Sequence, residues 1–282
     1  MTARAALAAS TASRPRGATS ELRAIKVVWH REVLRFIKDR PRLIAGIVQP
    51  VLYLFVMGTG ISAMIPATHG VPFRTFLFPG VTSMTVLFTC FFSAGSLVWD
   101  RELGFMREMM VAPVSRRAIL IGKCLGGTTA GTVQGLAMLV IGAISGVAIT
   151  PRLVGTFMLE LVLVSFALTA FGVAIATRMK SIQAFMAIMQ VVLFPMFFAS
   201  GALYPLQGLP VWLELVTRLD PLTYAVAPLR HAVLDAAGQG ALAPMVTWGS
   251  YVVPLWLDLA IVAVAAALSL AAALPRFSRT DV

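Results

Sequence analysis

Charge is scarce in this chain, and acid is scarcest, with twelve Asp and Glu among 282 residues against twenty-three Lys and Arg. Charged residues make up 12% of it, about half the share of an average soluble domain. With 59% hydrophobic residues and a mean hydropathy of +0.86, the bulk of the chain belongs in lipid. Histidine is nearly absent. His30, His69 and His231 all fall in interfacial or loop segments, which excludes an intramembrane Ser–His protease built on Ser200-Gly201. No His, Cys and Asp cluster has metal-ligand spacing. The two cysteines, Cys90 and Cys124, read as small apolar fillers rather than a disulfide framework. A phosphate-cradling Gly-x4-Gly-Lys-Ser/Thr loop is also missing, because the only Gly-Lys pair, Gly122-Lys123, has Arg117 where the first glycine would stand. The chain does not hydrolyse nucleotide by that route.

What it has instead is long apolar runs. About 20 apolar residues cross the hydrocarbon core as a helix, and six stretches qualify: residues 43–65, 76–98, 119–149, 153–177, 182–203 and 249–274. The net charge of +11 would suggest nucleic acid in a soluble protein, but its placement does not. Nineteen of the twenty-three basic residues fall before the first run, between the second and third or, as Lys123, in the first turns of the third, between the fourth and fifth, or after the sixth. Only Arg74, Arg152, Arg218 and Arg230 lie elsewhere. The positive-inside rule therefore places both termini in the cytoplasm, and a nucleic-acid role is set aside.

Four features decorate these spans. Residues 21–40 alternate Leu22, Ile25, Val28, Trp29, Val33, Phe36 and Ile37 with Arg23, Lys26, Arg31, Arg35 and Lys38, the pattern of an amphipathic elbow helix in the inner leaflet. Residues 1–20, rich in Arg, Ser, Thr and Ala and free of acid, read as a disordered tail. Between spans two and three, Trp99, Leu103, Met106 and Met110 form one helical stripe, opposite Asp100, Gly104, Arg107 and Glu108, with Arg101 at the edge. That predicts a four-turn surface helix ending at Pro113, a handle for a soluble partner. Before the last span, 203–235 is too polar to cross and too apolar for open water. Helices over 212–219 and from Asp220-Pro221 onward, with Trp212 and its neighbours buried, are expected to cap the outer mouth.

Other side chains within the spans invite function. Phe88, Phe91 and Phe92 in the second span and Phe194, Phe197 and Phe198 in the fifth offer a soft lining for a greasy substrate, or simple packing. Glu160 in the fourth span and Asp258 near the middle of the sixth must be paired, hydrated or protonated. Gly127, Gly131 and Gly135 recur every four residues, as a packing seam within the chain or as a subunit interface.

Two ordered motifs resemble the membrane-spanning permease of ABC type-2 exporters, the group of daunorubicin-type drug efflux and lipo-oligosaccharide or polysaccharide export permeases. The first is Arg101-Glu-x-Gly104-x3-Glu108-x4-Pro113-Val-Ser115, with Lys123 following. The second is Phe198-x-Ser-Gly201-x3-Pro205-Leu-x3-Pro210-x-Trp212, then Asp220-Pro-Leu-Thr-Tyr224 and Leu229-Arg230. Phe78-Pro79-Gly80 adds a third match. Phe105 and Ala112 stand where the family commonly has Ser or Thr, which removes a hydroxyl role there.

The resemblance covers about residues 21–275, leaving a cytoplasmic tail at 276–282. It implies an all-α polytopic membrane protein with six transmembrane helices, the elbow, a cytoplasmic coupling helix and two short outer-leaflet helices. It further implies a homo- or heterodimer of permeases in a bacterial cytoplasmic membrane, in contact with its lipids. A separate ATP-binding cassette subunit would bind ATP and Mg, and this chain would carry no cofactor or metal. Arg101, Glu102, Gly104, Arg107 and Glu108 would form the contact with that ATPase. The cargo would be hydrophobic or amphipathic: a drug, a lipid or a glycan. The alternative is a proton-coupled carrier using Glu160 and Asp258.

Overall fold

The computed structural model describes residues 18–64, 72–105, 115–249 and 251–279, which are overwhelmingly helical. Six helices are long and apolar enough to cross a membrane: Arg40–Ser62, Phe73–Glu102, Arg116–Ile144, Pro151–Ala176, Ile182–Ala199 and Leu255–Phe277. The protein is an all-α polytopic membrane protein.

The elbow, α1 (Ala18–Lys38), begins three residues before its expected start; residues 1–17 of the expected tail lie outside the described residues. Asp39 caps the next helix, α2 (Arg40–Leu52), by accepting from the Arg42 N–H. Pro50 inside α2 removes one helical donor, and the helix runs through a π-helical turn, Tyr53–Met57, into α3 (Gly58–Met64). The second span is α4 (Phe73–Ala94), followed after Gly95 by α5 (Ser96–Glu102). Spans three to five are α6 (Arg116–Ile144), α7 (Pro151–Ala176) and α8 (Ile182–Ala199). Each starts where a hydroxyl caps it, with Ser115, Thr150 and Ser181 accepting from Ala118, Leu153 and Ala184 N–H groups.

Helices α9 (Val211–Leu219) and α10 (Pro221–Ala236) precede the last span, with Asp220 capping α10 through the Leu222 N–H. A two-stranded hairpin, Thr247–Trp248 with Tyr251–Val252, leads into α11 (Leu255–Arg279). Asp258 therefore sits in the first turn of the last helix and not near its middle.

Burial is uneven. Of the most apolar stretch of each span, 83% is buried in the second and 17% in the first, so α4 is the central post and α2 a peripheral one. α4, α6 and α7 pack closely because the glycine stripe lies between them. A Cβ on Gly127 would come within 2.4 Å of Thr169, on Gly131 within 2.5 Å of Cys90, and on Gly135 within 2.7 Å of Leu161. The stripe is thus a seam within the chain.

α9 departs from expectation. Trp212 is 68% exposed and Leu219 77%. A nine-residue amphipathic helix has one face to bury, and α9 turns that face outward from the bundle instead of onto it.

Candidate functional site

Two clusters of motif residues sit at opposite ends of the bundle. At the end where α1, α5 and the start of α6 meet, a lysine is buried among acids. Lys123 Nζ donates to Glu32 Oε1 at 2.9 Å, Ser96 Oγ at 2.9 Å and Asp100 Oδ2 at 2.7 Å. The Lys123, Glu32 and Asp100 side chains are each no more than 3% exposed. Arg31 bridges Glu32 and Asp100, and Arg35 Nη1 reaches Asp100 Oδ1 at 3.3 Å while lying over the Trp99 ring. Burial alone would raise the Glu32 carboxyl, but Lys123 and Arg31 outweigh it and hold Glu32 below the usual carboxylate value. A buried lysine is tolerated only because its three donors are all used.

This node corrects the expected solvated face. Asp100 is 2% exposed and binds the interior instead of facing out with Gly104. Nor is the handle one continuous four-turn helix. α5 stops at Glu102, and Gly104 adopts φ +81, a left-handed conformation that ends the helix and that few other residues accept. Arg107 and Glu108 lie outside the described residues. Arg101 and Glu102 both turn to the α7–α8 connection: Arg101 Nη1 donates to the Met179 carbonyl at 2.7 Å, and Glu102 Oε2 accepts from the Ile182 N–H at 2.9 Å. The two residues expected to meet a partner also tie two loops of the same end together.

Sequence reading missed Glu32 as a functional residue. Its one available signal was an acid on an otherwise basic elbow, three residues after Trp29 on the face that carries Val28 and Phe36.

At the opposite end, the second motif closes on itself. Gly201 and Ala202 offer their carbonyls to Arg230 Nη2 at 2.9 and 3.1 Å, and the guanidinium lies 4.1 Å from the Phe76 ring centre. Gly80 of the third match faces the same loop, and a Cβ there would come within 2.0 Å of the Ala202 carbonyl oxygen. Tyr224 Oη donates to the Arg218 carbonyl at 2.7 Å and accepts from Trp248 Nε1 at 3.0 Å, clamping α9 to α10. Phe-Pro-Gly, Ser-Gly and Leu-Arg are distant in sequence and meet at one point.

The six aromatics do not form one lining. Phe91 is buried in the core against Phe171, with ring centres 5.7 Å apart, and Phe197 is buried as well. Phe88 packs edge-on to Phe194 at 5.9 Å, while Phe194 and Phe198 face outward from α8. Glu160 lines a cavity of about 430 Å3 with Thr156, His231 and Asp235. Glu160 Oε2 and Asp258 Oδ1 are buried without a hydrogen-bond partner among the described residues. Among the described residues no group of three His, Cys, Asp or Glu side chains is placed to hold a metal ion.

Comparison with known proteins decides the family. The family described as ABC-2 type transporter matches residues 23–234, from the elbow through the clamp of α9 and α10. The chain belongs to the ABC-2 type transporter family. It is 30% identical over 208 residues to the putative transport permease ycf38 of Cyanophora paradoxa, covering 69% of each chain. It is 25% identical over 217 residues to nodulation protein J of Sinorhizobium fredii, covering 76% of this chain and 82% of that one. The inner membrane transport permease YadH of Escherichia coli is 25% identical over 218 residues, covering 75% and 83%. This ABC-2 chain is a membrane permease and a transport subunit rather than a catalytic one, and the matched region contains the first cluster and all of the second but Trp248.

Proposed function

We propose that this permease exports a hydrophobic or amphipathic molecule, driven by ATP hydrolysis on a separate ATP-binding cassette subunit held at the end that carries the Lys123 node. Both termini lie in the cytoplasm of a bacterial cell, and a second permease, the same or related, completes the pathway. ATP and Mg belong to the partner subunit, and this chain supplies no cofactor site.

The buried node is the observation that carries this reading. A partner pushing on the segment after Gly104 meets α5, which Asp100 fixes to the elbow and to α6, and which Arg101 and Glu102 fix to the α7–α8 connection. Force applied at one point would move those elements as a rigid body. A buried ionic cluster suits this task, because breaking any one contact leaves an unpaired charge in a dry site. Arg107 and Glu108 remain in the proposed contact with the ATPase, through charge-assisted hydrogen bonds.

A proton-driven carrier built on Glu160 and Asp258 is the competing reading, favoured by the unpartnered oxygen on each. Transport assays in sealed vesicles separate the two. ATP-dependent export that vanadate abolishes and a collapsed proton gradient leaves intact supports the ATP-driven reading. Export that persists without the ATPase subunit, on a proton gradient alone, overturns it.

A further inference from the structure

A groove of about 260 Å3 runs between α2 and α4, beside the Lys123 node but separate from it. Its basic end is Arg42, whose guanidinium lies 5.3 Å from the Phe92 ring centre and donates through Nη2 to the Thr89 carbonyl at 3.3 Å. Those contacts leave the rest of the guanidinium fork unused, and no carboxylate pairs with it among the described residues. Asp39, the nearest acid in sequence, accepts from the Arg42 backbone N–H through Oδ1 and attracts the guanidinium only from beyond ion-pair distance. The other end of the groove is Pro50 and Met84. Eight residues of helix separate Arg42 from Pro50, about 12 Å. The wall also carries Gln49 next to Pro50, Thr85 next to Met84, and Phe88 between the two ends, so its one charge stands at the Arg42 end. Phe88 touches Phe194, which joins the groove to the outward face of α8.

We infer that this groove binds an amphipathic anion, its phosphate or carboxylate on Arg42 and its apolar body lying along Phe88 toward Met84. An arginine held by one carbonyl and one ring face is half-recruited. Its geometry favours a planar, two-pronged partner such as a carboxylate or phosphate oxygen pair. The cavity is below the roughly 300–1,000 Å3 of a drug-sized site, so it takes a head group and the first part of a tail, not a whole large cargo. Lipid neighbours of the wall add apolar surface to the remainder. This rests on the proposed orientation, which places Arg42 at the inner-leaflet head-group level. The ligand is either a resident membrane lipid or the molecule being transported, since both present the same chemistry there.

The test uses the full chain in nanodiscs of phosphatidylcholine, without nucleotide or partner subunit. Its probes are a fluorescent lysophosphatidic acid and a monoacylglycerol of the same tail. The wild-type chain should bind the anionic probe about tenfold or more tightly than the neutral one, the scale of one charge-assisted hydrogen bond. Arg42→Gln should erase that preference while leaving monoacylglycerol binding unchanged, which also shows that the variant is folded. Arg42→Lys should retain part of it, and Met84→Trp should weaken both probes alike. Excess phosphatidylglycerol that displaces the probe assigns the site to a resident lipid; failure to displace assigns it to a transported amphiphile. Undiminished lysophosphatidic acid binding by Arg42→Gln, or equal loss of both probes, overturns the inference. Because no ATP is present, a failure of the ATP-driven reading would leave this result standing, and the reverse also holds.

Discussion

Among the described residues each end of the bundle buries one cation, and each solves the problem differently. Lys123 on α6 is held by two carboxylates and a hydroxyl drawn from two other helices, α1 and α5. Arg230 has two carbonyls and an aromatic face. The first arrangement is a set of side chains that can be rearranged, and its energy depends on every member keeping its charge. The second is fastened to backbone and cannot be rearranged without moving the chain. The first arrangement suits the proposed coupling joint, and the second fastens the end that the sequence predicts as a cap.

Removing the cations should expose that difference most strongly. Lys123→Met leaves Glu32 and Asp100 buried with only Arg31 and Arg35 for company, and should cost about 3–5 kcal/mol of stability, read as a lowered melting temperature in detergent. Adding Asp100→Asn should recover much of it, because fewer charges are stranded. Arg230→Met strands two carbonyls at about 1–3 kcal/mol each, and no second side-chain change should recover it.

Gly80→Leu should harm the cap end alone, since the new side chain drives into the Ala202 carbonyl. The protein should then lose expression or thermal stability, while Gly104→Ala, with open space around it but a strained backbone, loses about 1–2 kcal/mol.

A smaller effect distinguishes the ends by pH. Glu32 is held below the usual carboxylate value, so its contribution is fully present above about pH 4.3 and is lost as pH falls through the lower folded value. Acid scans of the wild type and Glu32→Gln should converge at low pH and separate as pH rises. Tyr224→Phe, at the cap end, should cost about 0.5–1.5 kcal/mol at every pH.

Much of this was legible in residue order. Apolar runs alone pointed to six spans, the last of which starts at Leu255 rather than 249, because a membrane helix satisfies its own backbone and needs little from its neighbours. The Asp220 cap and the α9–α10 break followed from Pro210 and Pro221 for the same local reason. What was not legible depended on contacts between distant segments. Periodicity put Asp100 on a polar face, but a polar face can be an interior one when Lys123 arrives from 23 residues further on. Phe91 and Phe197 carried the same aromatic signal as Phe88 and Phe194, and only packing told core from groove. Trp212 read as buried because its helix is apolar, yet an apolar face says only that water is avoided.

One measurement separates a charged node that transmits force from one that merely stabilises. Export and ATP hydrolysis should be measured for the full assembly carrying Glu32→Gln, Asp100→Asn and Lys123→Met together, a neutral set that strands no buried charge. If the node is a joint, the variant folds, binds its ATPase and hydrolyses ATP, but exports about tenfold less per ATP than the wild type, within the usual range of a coupling energy. Export per ATP equal to wild type in that variant would contradict the account.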